Sequence, residues 1–378
     1  MRSVTTVLLF TLSVFPSPHV QRVWLTHQSR TPDRIVINWE SAIPTASVVR
    51  YGLTPAHGRR VVDNRETTLH HVEIAIPDRD VTWHYSIGEG EQATPDASFK
   101  AYPTTELRVA IVGNWGFAKD KDVGAVMRDN VHLLMTAGDN VPSLHQAGME
   151  GVKAFSALID QQPTLFRSIP FLPVLGNHDK EVRPREAKPP PTPVYDVEAK
   201  AYRQFFALPG DEWKWAFDIA DFAVQFIALD LNHIMDFGTT WQSCPAWDEG
   251  SEQFRWFKQT VAESTADFIF VINNENPRTI LKNTAGFWGE QFRKTSGIVT
   301  ANNYWAERFE LDGGLPSFNT SLRGERGSQA KNAPNPFLAS QDNYLLLTFR
   351  KGSDMMTAQL KNLDGAVLNT RQIKKRIR

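Results

Sequence analysis

Histidine is absent from residues 234–378 of this 378-residue chain, and all ten of its imidazoles lie at or before His233. Whatever chemistry the C-terminal third carries must rest on oxygen donors, amides and aromatics. Cysteine is almost missing too, and the single Cys244 excludes an intramolecular disulfide framework. There is no excess of charge of either sign: a formal net charge of −1 gives no electrostatic case for nucleic acid or an anionic membrane. No apolar run reaches the ~20 residues of a membrane span. The longest, residues 4–15, follows Met1-Arg2-Ser3 and has the length of a secretory h-region. Residues 1–18 are therefore expected to be a signal peptide and the protein secreted or periplasmic. Phe15-Pro16-Ser17 is a poor cleavage site, and the alternative is a buried first strand.

What is present is an ordinary globular composition, 41% apolar and 22% charged, at a length that favours two domains. Residues 19–103 contain short β-type runs at 34–39, 47–51, 72–76 and 81–87, each closed by turn residues. They predict a small β-sandwich. His70-His71 lies in this region, but adjacent strand residues point to opposite faces, so the pair reads as an edge-strand feature and not a metal site. From Leu107 strands and helices alternate: strands at 108–112, 132–137 and up to Leu175, helices near 123–131 and 148–159, then strands at 222–229, 268–272 and 297–300. That order predicts a layered α/β sheet over residues 104–370, with an antiparallel finish. The stretch 183–193 is proline-rich, and the tail Lys374-Lys375-Arg376-Ile377-Arg378 reads as a solvated basic end.

Chemistry-bearing residues gather at the ends of the predicted strands. Gly113-Asn114-Trp115-Gly116, Gly138-Asp139-Asn140 and Gly176-Asn177-His178-Asp179 each follow an apolar run. Asn274-Glu275-Asn276-Pro277 and Ala301-Asn302-Asn303-Tyr304 do the same later. Loops at the carboxyl ends of buried strands are where open α/β sheets present their reactive groups.

This series, with the β-region before it, resembles the purple acid phosphatases among the calcineurin-like metallophosphoesterases. The resemblance implies a four-layer α/β/β/α metallophosphoesterase sandwich preceded by a fibronectin-like domain, and a phosphoester hydrolase with two metals. It assigns Asp139 as the bridging carboxylate, Asn177 as a ligand, and His178, with Asp179 beside it, as the catalytic group that contacts phosphate and protonates the leaving oxygen. Where that family has further ligands this chain has Asn114 for Asp, Pro142 for Tyr, Glu275 for one His, and Asn302 and Tyr304 for two more.

Those departures bear on the metal. Two dications 3.5–4 Å apart repel by roughly 17–19 kcal/mol at an effective dielectric near 20, which anionic ligands must offset. Asp139 and Glu275 together balance one divalent ion. The candidate ligands Asp139, Asn177, Glu275, Asn114 and Asn302 are all oxygen donors, suited to one Mg, Mn or Ca ion and not to a dinuclear iron or zinc centre. Asn140 and Tyr304 are expected to touch a phosphate ester or other small anion. The alternative is a non-catalytic, exported descendant that binds an anion, a glycan or a protein. Two further residues are read as bland: Asp230 as a strand-end cap and His145 as a surface loop residue. Asn319-Thr320-Ser321 matches a glycosylation sequon.

Overall fold

The computed structural model describes residues 20–118, 121–144, 148–180, 199–236, 244–324 and 337–377. The expected signal segment, His145 and the proline-rich stretch lie outside these residues. The N-terminal region is a five-stranded antiparallel sheet. Its runs at 34–39 and 47–51, expected as separate strands, form one strand, Arg34–Gly52. The register against the neighbouring strand Arg59–Ala75 slips between Glu40 and Ser47. A bulge lets a strand bend without ending, and Pro44 sits in this unpaired stretch, where its missing N–H costs no ladder bond. Leu25, Ile37, Trp39, Val49, Trp83 and Phe99 share one buried cluster here.

Arg59–Ala75 is an edge strand, and its adjacent histidines do face opposite ways. His70 stacks on Trp39 at 4.4 Å between the hydroxyls of Ser41 and Ser47. His71 bonds Asn38 on its own sheet and the Gln204 carbonyl across the junction with the rest of the molecule. Arg22 reaches Asp160, and Tyr85 donates to the Arg167 carbonyl, along the same junction.

Two further sheets follow. One has six strands, running in space from Val367–Lys374 through Met355–Asn362, Asn343–Arg350, Glu106–Val112 and Leu133–Thr136 to Phe171–Leu172. The other has seven, with Phe268–Ile272 flanked in parallel by Val224–Ala228 and Gly297–Thr300. The period of two in these strands assigns their faces. Phe268, Phe270 and Ile272 enter the core shared with the six-stranded sheet, while Ile269 and Val271 pack under the helices Glu252–Glu263, Pro277–Asn283 and Phe287–Phe292. Helices Val152–Gln161 and Lys200–Phe205 contribute Phe155, Tyr202 and Phe205 to the shared core. The layered α/β expectation is met.

Several boundaries differ from the expected ones for local reasons. The helix expected near 123–131 is only Gly124–Arg128, because Asn130 turns left-handed at φ 56°. The strand expected from Phe222 starts at Val224, after Ala223 takes φ 50°. The basic tail is not solvated along its length: Arg376 donates to the carbonyls of Ala266 and Ser264. Asn319 of the sequon is buried, its amide donating to the Asn303 and Trp305 carbonyls, so it is closed to modification in the folded state.

His27 gives a test of this packing. It is fully buried, its Nδ1 donating to the Arg34 carbonyl and its Nε2 paired with the Tyr102 hydroxyl, and burial lowers its pKa to about 4. The unfolded chain therefore takes the proton first, so this stabilisation is whole above pH 6.5 and declines as pH falls toward 4. The gap in unfolding free energy between wild type and His27→Gln should shrink by roughly 3 kcal/mol from pH 7 to pH 4. Urea titrations at both pH values measure it, and a constant gap contradicts the buried neutral ring.

Candidate functional site

The strand-end loops of both sheets meet at one place. Gly113 and Gly176 allow the approach: a Cβ on Gly113 would lie 2.2 Å from the Thr320 carbonyl oxygen, and one on Gly176 would lie 2.0 Å from the Asp139 nitrogen. Backbone bonds run from Asn114 N–H to the Gly138 carbonyl and from Gly116 N–H to the Asp139 carbonyl. Asn114 and Asp139 both adopt φ 55°, a left-handed conformation that Asn and Asp tolerate better than most residues. Asn114, Asp139 and the Asn177-His178 turn are thereby brought together.

Side-chain amides then tie one sheet to the other. Asn114 Nδ2 donates to the Ala301 carbonyl at 2.6 Å and to Ser321 Oγ at 3.1 Å, which leaves its buried Oδ1 without a partner. Asn274 Nδ2 donates to the Ala137 carbonyl at 3.3 Å, and Asn232 Nδ2 to the Leu175 carbonyl at 3.1 Å.

Asp139 Oδ1 accepts the His178 N–H at 3.3 Å. Burial pushes its carboxyl up to about 7, against the opposing pull of that N–H and of the Asn274 amide. Asp179 is also raised to about 7, by burial first and then by the charge of Asp139. Its oxygens accept from Asn140 Nδ2 at 2.7 Å, Gly176 N–H at 2.7 Å and Val141 N–H at 3.1 Å. Asn140 is fully buried and also bonds Thr136 Oγ1 and the Val174 carbonyl. The two residues thus brace the Gly138 and Gly176 loops against each other from within, a placement different from the substrate contact expected of Asn140 and the catalytic part expected of Asp179.

His178 Nδ1 lies 2.5 Å from the Pro142 carbonyl, which can only accept, so that nitrogen carries the proton. Pro142, where the resemblance expects a tyrosine, supplies this orienting carbonyl instead. Glu275 Oε2 accepts the His233 N–H at 2.9 Å, and Oε1 accepts the Asn276 N–H at 2.8 Å and Asn302 Nδ2 at 3.3 Å. Three of the roughly four lone-pair positions of that carboxylate are thus occupied. Tyr304 lines the rim with Phe117 and Arg323: the guanidinium lies 4.2 Å from the Tyr304 ring and 4.7 Å from the Phe117 ring, and the His178 ring meets Phe117 edge-on at 5.3 Å.

Asp230 caps the strand-end turn as expected, accepting the Asn232 N–H at 3.2 Å, and is also one half of a fully buried ion pair with Lys180 at 2.7 Å. Asn232 Nδ2 shares the same carboxylate at 2.6 Å. Neither Lys180 nor Arg323 was singled out from sequence. Only the position of Lys180, directly after Gly176-Asn177-His178-Asp179, signals it.

The metal centre implied by the resemblance can be tested against these groups. Among the described residues no three His, Cys, Asp or Glu side chains gather to hold a metal ion. A divalent cation is compatible with the oxygen donors present, since the buried Asp139 carboxylate and the orphaned Asn114 carbonyl lie on hydrogen-bonded loops.

No protein-family model matches the chain, and no curated protein does. Solved structures do. The structure of PhoD superposes with a TM-score of 0.69 over 97% of this chain and 92% of PhoD, at 12% identity. GAP50, the anchor in the inner membrane complex of Plasmodium, aligns with a TM-score of 0.49, 16% identity, 72% of this chain and 90% of its own. A dimetal phosphatase from Danio rerio gives 0.43 at 9% identity, over 71% of this chain and 99% of that one. The PhoD match shows that this chain shares the PhoD fold across nearly the whole molecule.

The buried pair yields a direct test. Lys180→Met leaves Asp230 charged without its cation and should destabilise by about 3–5 kcal/mol, whereas Lys180→Met with Asp230→Leu should cost much less. Denaturant unfolding of the single and double variants measures both, and equal losses would contradict the pairing.

Proposed function

We propose that this chain is a phosphoester hydrolase of purple acid phosphatase type whose pocket works with one hard divalent cation in place of a dinuclear centre. One observation carries the reading: the Asn114 Oδ1, buried and unpartnered, belongs to a loop hydrogen-bonded to that of the buried Asp139 carboxylate. Asp139, Asn177 and Asn114 would hold the cation, with Glu275 and Asn302 beside them. When bound, Mg, Mn or Ca would polarise a phosphoryl oxygen and acidify a water.

The chain's own residues do the rest. His178, fixed by the Pro142 carbonyl through Nδ1–H, presents Nε2 to the pocket, and only as the imidazolium, with a second proton on Nε2, would it give a proton to the leaving oxygen. Asp179 and Asn140 hold the two loops that present Asp139 and His178, so they position the catalytic groups. Tyr304, Phe117 and the stacked Arg323 form a cationic aromatic wall for the anionic substrate. In this reading residues 19–103 are an accessory β-domain of fibronectin type, residues 104–370 the hydrolase domain, and the protein is exported. Among the described residues no helix is long and apolar enough to cross a membrane.

A second reading, a non-catalytic descendant that keeps the pocket to bind an anion, a glycan or a protein partner, is favoured by Glu275, whose carboxylate is already occupied by three donors. Metal analysis and turnover of aryl phosphate monoesters and diesters, with Mg²⁺, Mn²⁺, Ca²⁺ and Zn²⁺ added in turn, separate the two. The hydrolase reading expects one equivalent of a hard cation and measurable turnover. It also expects kcat to fall by about 100- to 10,000-fold in His178→Ala, and the cation-dependent rise in melting temperature to vanish in Asp139→Asn. No bound metal and no turnover would establish the binder instead.

A further inference from the structure

The proposed pocket occupies one end of the six-stranded sheet, and a second cavity lies at the other end, where that sheet meets the first one. It sits before the first residues of Leu133–Thr136 and Phe171–Leu172, against the antiparallel pair Thr82–Ile87 and Ala97–Lys100. Alternation along that pair turns Trp83 and Phe99 into the buried cluster and leaves Thr82, Ser98 and Lys100 on the opposite face. Asn130, His132 and Ser168 line the facing wall, Asn130 from its left-handed turn. The volume is about 320 Å³, within the range of small-molecule sites.

Six polar side chains therefore surround one space, and they use little of their bonding capacity on each other. The Lys100 ammonium donates to Asn130 Oδ1, a neutral acceptor, and among the described residues no acid pairs with it. The Arg108 N–H donates to His132 Nδ1 at 3.1 Å, so that nitrogen is bare and the neutral ring carries its proton on Nε2. Burial, and next the charge of Lys100, lower the pKa of this ring to about 4, which keeps it neutral at pH 7. His132 is only 8% exposed, and its Nε2–H meets no acceptor among the described residues. The hydroxyls of Thr82, Ser98 and Ser168 make no hydrogen bond among those residues either. No acid lines the cavity, and the one carboxylate acting on His132, that of Asp80, is taken by the Thr104 N–H and hydroxyl. The space thus offers one positive charge, an imidazole N–H and three hydroxyls beside the apolar surface of Met127, Ile169 and Pro170.

We propose that this junction cavity is a second binding site, separate from the strand-end pocket, for a small aliphatic carboxylate. Lys100 supplies the counter-charge, His132 Nε2–H and the hydroxyls donate to the carboxylate oxygens, and the aliphatic body covers Met127, Ile169 and Pro170. A single cation balances a monoanion, whereas a phosphate dianion would keep one charge unpaired. The ligand bridges the first sheet and the loop before Phe171, next to the bond from Tyr85 to the Arg167 carbonyl.

Butyrate is the probe, with butyramide as its neutral isostere and inorganic phosphate as the competing oxyanion, each titrated calorimetrically at pH 7 and low salt into the full chain. Butyrate should bind with one equivalent per chain, and more tightly than either control. Lys100→Gln, at an exposed position, should weaken butyrate about 10- to 100-fold. The charge-preserving Lys100→Arg should retain binding, and so should His178→Ala in the strand-end pocket. His132→Phe removes the N–H donor at similar ring size and should weaken butyrate too; if that variant does not fold, the two Lys100 variants decide. The proposal is overturned if wild type does not bind butyrate, if butyramide or phosphate binds as tightly, if Lys100→Gln binds as wild type does, or if His178→Ala removes the binding. Because the readout is binding at residues outside the pocket, it stands or falls separately from the hydrolase reading: a protein without turnover that still loses butyrate on Lys100→Gln supports the site.

Discussion

Two β-sheets meet at the ends of their strands, and side-chain amides hold them there. Asn114, Asn274 and Asn232 each donate across the seam to a backbone carbonyl of the facing loop. The glycines at 113 and 176 exist because any Cβ would collide with the opposite loop. Every other property of the site follows from this seam. It fixes Asp139 beside Asn114 and sets His178 over the Pro142 carbonyl. It also leaves the buried Oδ1 atoms of Asn114 and Asn232 without hydrogen-bond partners. A buried amide seam costs little electrostatically, whereas a seam of carboxylates and metal ions must balance its charges at short range.

That difference explains how the same fold can carry such an unusual complement of donors. Where the resemblance expects imidazole at position 302, Asn302 donates instead to Glu275, and Glu275 gathers His233, Asn276 and Asn302 into one local network. Asp179 does the same for Gly176, Val141 and Asn140. The carboxylates of Glu275 and Asp179 are thus engaged by structure. Asp139 accepts the His178 N–H, and burial raises its carboxyl.

Much of the fold was legible because its strands are buried on both faces. Runs such as Phe268–Ile272 announce themselves as apolar and β-branched, and their alternate residues divide cleanly between two cores. The strand-end positions of Asp139, Asn177 and Glu275 could be placed by the same logic. The bent first sheet was less legible, since a bulge such as that near Pro44 joins two runs that composition separates. Long-range polar pairing was not legible at all. Lys180 and Asp230 are fifty positions apart and meet only because consecutive loops from opposite sheets share one end of the molecule. The bonds of Asn140 and Asp179 to the Gly138 and Gly176 loops were not legible for a related reason: sequence shows that an acid sits in a strand-end loop, but not which backbone groups its oxygens meet.

The charge distribution adds a further constraint. A chain near neutrality has no net field, so any local concentration of one sign must be placed deliberately against self-repulsion. Acids collect at the seam, where the charge of Asp139 adds to the burial that raises Asp179, and cations collect at the opposite ends of the same parallel strands. The strand Gly297–Thr300 runs from the cationic end to the acidic one. Each end therefore holds charge that the other cannot neutralise through a dry interior of Phe226, Phe270 and Ile298.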